Sequence, residues 1–192
     1  MSTYQKIFEK NQYKLEDAVG KSQTWFTQQA RLLARQDIQP GRLVSASSKK
    51  NVQRIVPGEM YLFQYDAKMH DTLPYWDMYP VVFPFRRLSD GFIGLNMHYL
   101  PYRMRIILLD RLMSFKTNNM LNENTRIKYS WQTIGGMSKF DIAKPCVHRY
   151  LINHVRSPFK RIDAADWVTA LMLPVERFVG ASRTQIWAES MR

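Results

Sequence analysis

Asp66, His70, Asp71 and Asp77 fall in one short stretch and are residue types that hold divalent cations or move protons. Metal-assisted hydrolysis needs such carboxylates projected from rigid elements onto one point. The stretch that carries them, DAKMHDTLPYWDM, mixes polarities around Pro74 and reads as a loop, so its acids are expected to be scattered and solvated. Asp66-x-Lys68 looks like a fragment of a nuclease signature, but so short a triplet arises by chance and no convincing upstream acid accompanies it. Asn96 and His98 alternate on a strand pattern, and the ordinary role of such a pair is to hydrogen-bond neighbouring loops. Cys146 and His148 stand two residues apart on what reads as a helix, where they cannot face each other, which rejects a thiol nucleophile. The glycines of GFIG and IGG lack the strand-to-helix context of a phosphate-cradling loop. The expectation is a protein that is not an enzyme, with no catalytic residues, no metal and no cofactor.

The basic residues carry a stronger signal. Between Asp141 and Asp163 the chain holds Lys144, Arg149, Arg156, Lys160 and Arg161 and no acid. Within it CVHRYLINHVR reads as an amphipathic helix, with Val147, Tyr150, Leu151 and Val155 on an apolar stripe and Arg149, Asn153 and Arg156 opposite. Cations one helical turn apart can meet successive phosphates, a contact that positions a protein on DNA without reading its sequence. The plainer reading is a solvated helix face. Upstream, RLVSASSKKNVQRIV sets Arg42, Lys49, Lys50 and Arg54 among serines with few large apolar residues, and residues 42–56 read as an extended basic arm ordered only against something else. These two groups of cations are the candidate nucleic-acid-binding residues.

Such cations must be carried by a core, and the chain is long enough for one: 192 residues, 45% hydrophobic, with a formal charge of +12. The surplus is uneven, at +6 over residues 1–56, −1 over 57–110 and +7 over 111–192. Charge of this sign is matched to polyanions, so nucleic acid, double-stranded DNA included, or anionic lipid is the expected partner rather than an acidic protein substrate, with no small-molecule substrate. A single cysteine excludes an internal disulfide. No apolar run approaches the ~20 residues that span a bilayer, and the first residues carry charges of both signs where a signal peptide is apolar, so no membrane role is expected.

Residues 1–56 are expected to form a helical and extended basic arm, and 57–192 a single α+β core domain. In the arm Trp25, Phe26, Gln29, Leu32 and Leu33 fall at helical spacing, and Pro40-Gly41 ends that helix. In the core, MYLFQY (60–65), YPVVFPFRR (79–87) and GFIGLNMHYL (91–100) read as three antiparallel strands, the last two joined at Asp90-Gly91. Pro101 suits the first position of a helix over YRMRIILLDRLMSF. IKYSWQTI (127–134) and the apolar run 167–173 are strand candidates, and Ser182-x-x-Gln185 is the capping box of a terminal helix. The pattern predicts a small, strongly bent antiparallel sheet or an SH3-like barrel with packed helices.

Residues 57–111 also carry a resemblance. The Pro-Gly-x-Met-Tyr opening, the Leu-Pro-Tyr-aromatic-Asp loop and the Gly-Phe-x-Gly-x-Asn-x-His-Tyr-Leu-Pro strand, with the later KPCVHRYLINHVRSPF and VERFVGAS, resemble a family encoded by tailed bacteriophages of the T4 type, the DNA end protectors. The resemblance covers most of the chain beyond residue 57 and only loosely what precedes it. It implies a minor virion protein that binds the ends of packaged linear DNA without sequence specificity and shields them from host exonuclease at head completion. It would act in the virion, and in the host cytoplasm during assembly, beside other virion proteins of the head or neck. The family brings no catalytic residues to carry over, and Tyr75, Trp76, Asn96 and His98 read as architectural.

Two other classes fit parts of the sequence. A structural neck, head-tail junction or tail component could dock on neighbouring subunits through residues 1–56. A small-barrel ribonuclease of the toxin type rests only on the first strand and the loop after it, without a catalytic constellation.

Overall fold

The computed structural model describes residues 40–45, 51–102, 104–105, 141–163 and 166–191. The expected helix around Trp25 and the expected strand at 127–134 lie outside the described residues, as do Lys49 and Lys50.

Among the described residues eight strands run in chain order: β1 Asn51–Val52, β2 Met60–Leu62, β3 Trp76–Asp77, β4 Val81–Arg87, β5 Gly91–Asn96, β6 Val147–Leu151, β7 Phe159–Ile162 and β8 Phe178–Val179. Six of them form one antiparallel sheet in the order β1-β7-β2-β4-β5-β6, and β3 pairs with β8 separately. Among the described residues the sheet ends at β1 and β6 and does not close, so the α+β expectation holds in an open form and the SH3-like barrel does not. The register of β4 on β5 shifts between Pro84 and Arg86, because Pro84 has no backbone donor and an extra residue is accommodated there.

The hairpin turns at Ser89-Asp90, with Leu88 N–H donating to Gly91 O at 2.9 Å. Gly91 permits the close approach of β5 to β6: a Cβ there would lie 1.9 Å from Tyr150 O. The strand expected over 91–100 stops at Asn96, whose Oδ1 accepts from His98 N at 3.0 Å and turns Met97–Tyr99 into a 3-10 helix. The strand expected over 60–65 is regular only to Leu62, with Tyr65 making one further bridge to Val155.

Two readings reverse. Val147–Leu151 is a strand rather than a helix, because β5 offers an open edge and β-branched and aromatic residues suit a pleated surface; Tyr150 then points to one face and Val147 and Arg149 to the other. Trp167–Met172 is a helix rather than a strand, because a short, wholly apolar run fits either and here packs against a sheet already filled by β7. Two expectations hold: Ser182 Oγ accepts from Gln185 N at 3.3 Å to start the helix Arg183–Ser190, and Arg105 N–H donates to Pro101 O in a first helical turn.

Strand alternation sorts the core into two clusters, one on each face of the sheet. The first holds Met60, Leu62, Val81, Phe83 and Leu95, covered by the helices Pro40–Ser45, Trp167–Met172 and Arg183–Ser190 through Leu43, Leu171 and Ile186. The second is largely aromatic and centres on Phe63, whose ring lies 5.0 to 6.3 Å from those of Tyr65, Phe92, Tyr150 and Phe159. Leu43 and Val44 are buried in the first cluster, Ile55 in the second, and Asn51 pairs with Lys160. Residues 42–45 are therefore helical and 51–52 strand-paired, and residues 53–56 are irregular but tied down by buried Ile55, where an extended arm ordered only against something else was expected.

Candidate nucleic-acid interface

The cations singled out at 144–161 do not share one helix face. Arg149 is on β6, Arg156 in the loop that follows, and Lys160 and Arg161 alternate across β7. Acids absent from that stretch arrive from elsewhere in the fold. Arg149 Nη2 lies 2.6 Å from Asp90 Oδ2, Arg156 Nη2 lies 2.8 Å from Asp66 Oδ2, and Arg161 stands 3.9 Å from Glu59 and 3.7 Å from Asp163. All three arginines remain about half exposed. Exposed pairs of this kind contribute ~0–1 kcal/mol, so a phosphate can take the place of the carboxylate at small cost.

Lys160 is a correction. Its side chain faces the first cluster, is 2% exposed, and its Nζ donates to Leu43 O at 2.5 Å, so it ties the helix Pro40–Ser45 to the sheet and cannot meet a phosphate. Lys144 and Arg54 are exposed as expected, and Arg42 is in the helix Pro40–Ser45. Arg86 was missed. It is exposed and pairs across β5 through Ile93 with Arg149, which places the two cations on one row of the sheet about 10 Å apart at the usual strand spacing. Arg87 faces the other way and donates to Ile55 O, beside Arg54. The Arg86-Arg87 pair at the hairpin end was the available signal.

Other charges are internal. Arg105 is fully buried; Nε donates to Leu100 O at 2.8 Å, Nη1 to Leu171 O at 3.0 Å and Nη2 to His98 O at 3.0 Å, and the guanidinium lies 4.7 Å from the Tyr102 ring centroid. Glu176, also buried, accepts from Tyr102 OH and Arg183 and is 3.8 Å from Arg105. Burial pulls the Glu176 carboxyl upward, but Arg105, His98, its own backbone and Arg183 together outweigh it and hold it below its ordinary range.

The acidic loop does not converge on a metal. Asp77 turns into the core, where Oδ2 lies 2.6 Å from His98 Nδ1 and accepts from Asn96 Nδ2 at 3.1 Å. His70 stays at the surface between Asp66 and Asp71, 3.2 Å from each. Among the described residues no three His, Cys, Asp or Glu side chains are grouped to hold a metal ion. Burial pushes the Cys146 thiol up to about 12, which leaves it inert. Burial likewise holds His148 down to about 4, against the opposing pull of Pro145 O and Asp77, so at neutral pH its ring is uncharged.

Between the Asp66–Asp77 loop and β6 lies an open cleft of about 500 Å³. Tyr75, Trp76, Tyr99 and His148 contribute to its walls, with Lys68 and Arg149 among the lining residues. Gly180 supports the loop from behind with φ +88°, its Cα so close to Pro74 that a Cβ would lie 2.4 Å from Pro74 O.

The described residues form an open antiparallel sheet that carries half-exposed arginines on and beside its strands. The model of the family described as Phage T4 terminal DNA protecting protein matches residues 16–190, and the chain belongs to that family. No curated protein and no solved structure matches it. Among the described residues no helix is long and apolar enough to cross a membrane.

Proposed function

We propose that the protein binds the ends of packaged linear DNA through their phosphates, without reading base sequence, and shields them from exonuclease at head completion in the virion. The observation that supports this best is that Arg149, Arg156 and Arg161 stand about half exposed at solvent, paired with carboxylates from other parts of the fold, in a member of a DNA-protecting family. Each can exchange its carboxylate for a phosphate, and the release of counterions from the duplex drives the exchange. Arg86 extends the row from Arg149, and Arg54, with Arg42, Lys49 and Lys50 nearby in sequence, adds a second strip. Lys144 stands in the 3-10 helix Asp141–Cys146 that precedes β6.

A salt titration on blunt linear and circular duplexes of equal length tests the proposal. Each phosphate contact contributes about 0.9 to the slope of log affinity against log salt, so replacing Arg149 and Arg156 together by Ala flattens it by roughly 2 for every sequence. Preference for linear DNA supports end binding. Failure to bind either duplex at low salt contradicts the proposal and favours a neck or head-tail junction component that docks on other virion proteins.

A further inference from the structure

The loop Tyr75, Trp76, Asp77 explains nothing about phosphate binding, yet the fold builds it with care. Asp77 is buried and fully engaged: Oδ1 accepts from Tyr79 N at 3.1 Å and Arg177 N at 3.4 Å, while Oδ2 meets Asn96 and His98. Trp76 pairs with Val179, and Tyr75 OH donates to Glu189 Oε2 at 2.9 Å. A surface loop anchored this firmly keeps its aromatic rings in fixed positions.

The cleft these rings face differs from the rest of the described surface. Met69 and Leu73, among the few large apolar side chains left exposed, at 60% and 42%, both line it. Tyr75 and Trp76 are half-buried there, and Trp76 Nε1 is shut off from solvent without a hydrogen-bond acceptor among the described residues. Lys68, exposed and with no ion pair among the described residues, and Arg149 supply cations in the same lining. A volume of about 500 Å³ lies within the ~300–1,000 Å³ of small-ligand sites. Flat aromatic walls with cations beside them are how proteins hold an unstacked base and its phosphate.

We propose that this cleft takes the unpaired terminal nucleotide of a DNA strand, its base against Tyr75 and Trp76 and its phosphate on Lys68 and Arg149. The inference rests on the DNA-end reading above and specifies how an end is told from the middle of a duplex. An internal base pair has no free base to insert, whereas a frayed or overhanging end does. His148, neutral at physiological pH, adds a stacking and hydrogen-bonding surface rather than a charge.

The test uses the full chain and a hairpin duplex, which has only one end, made either blunt or with a short unpaired overhang carrying 2-aminopurine. Binding of the overhang should quench the 2-aminopurine fluorescence, and Tyr75→Leu should weaken overhang binding by roughly 5- to 150-fold, the loss expected for one base–aromatic stack, while leaving affinity for duplex interior unchanged. Tyr75→Phe should restore it. Lys68→Ala, at an exposed position that cannot disturb folding, should lower the salt slope by about 1 on the overhang substrate alone. Equal affinity of the wild type for overhang and circular duplex, or equal weakening of both by Tyr75→Leu and Lys68→Ala, overturns the inference while the phosphate-binding reading stands; the cleft would then suit a side chain of another virion protein. Absence of binding to every DNA overturns both.

Discussion

Lys160 and Arg161 are neighbours on one strand with the same charge, and they do opposite work. Lys160 points into the first cluster and holds a backbone carbonyl of the helix Pro40–Ser45; Arg161 points across the second face and stands half exposed between Glu59 and Asp163. The difference extends to the two faces of the sheet. One face is covered by helices and accommodates buried charges, Arg105, Glu176 and Lys160, each surrounded by hydrogen-bonding partners. The other is filled with aromatic rings around Phe63, and Arg156 and Arg161 lie at its margin. On β7 a basic residue is therefore structural or available for a partner according to the strand face it occupies, not according to the local density of charge, whereas at the uncovered end of the sheet Arg149, on the same face as Val147, stays exposed.

The largest disturbance should come from Arg105→Ala, which leaves Glu176 buried without its main cation and strips three carbonyls of a donor. It should lower stability by about 3–5 kcal/mol in urea unfolding, or prevent folding. A loss below ~1 kcal/mol would mean that the buried charges are not part of the framework. Next is the neighbouring pair. Lys160→Ala should cost about 2–4 kcal/mol and leave the salt slope of DNA binding unchanged, because it removes packing and frees the Leu43 carbonyl. Arg161→Ala should cost less than about 1 kcal/mol and flatten that slope by about 1. Reversal of the two results would erase the distinction between the faces.

Acidification should weaken the fold in a defined order. His148 has a folded value of about 4 against an ordinary 6.5, so the unfolded chain takes up the proton first, and its contribution is complete above 6.5 and falls as pH drops toward 4. Glu176 is held below its ordinary range, so its contribution is complete above that range and is lost at still lower pH, as the folded carboxyl titrates. Urea midpoints measured from pH 8 to 4 should decline below 6.5, and His148→Phe should flatten the upper part of that decline.

Much of the sheet was legible because β4 and β5 alternate around an Asp-Gly turn, and the capping box at Ser182 is local chemistry. Val147–Leu151 was not legible as a strand: its apolar residues fit a helical stripe equally well, and only the open edge of β5 decides between them. The same holds for Trp167–Met172, whose continuous apolar run has no period to read. For the cations, the sequence shows Arg149, Arg156 and Arg161 in an acid-free stretch, but Asp90, Asp66 and Glu59 reach them only through the fold. Nothing local separates Lys160 from Arg161 until the register of β7 against β2 is known. The cleft was hidden for the same reason, since the aromatic loop and β6 meet far apart in sequence.

The most direct test of the division between buried and exposed cations is exonuclease digestion of a linear duplex in the presence of the wild-type protein and of the triple variant Arg149→Ala, Arg156→Ala and Arg161→Ala. Stability of the variant should be within about 1–2 kcal/mol of the wild type, since each of the three arginines is about half exposed. The account predicts that the wild type protects the termini and that the equally folded variant leaves them open to digestion. Full protection by the variant, or digestion at the same rate with and without the wild type, would contradict it.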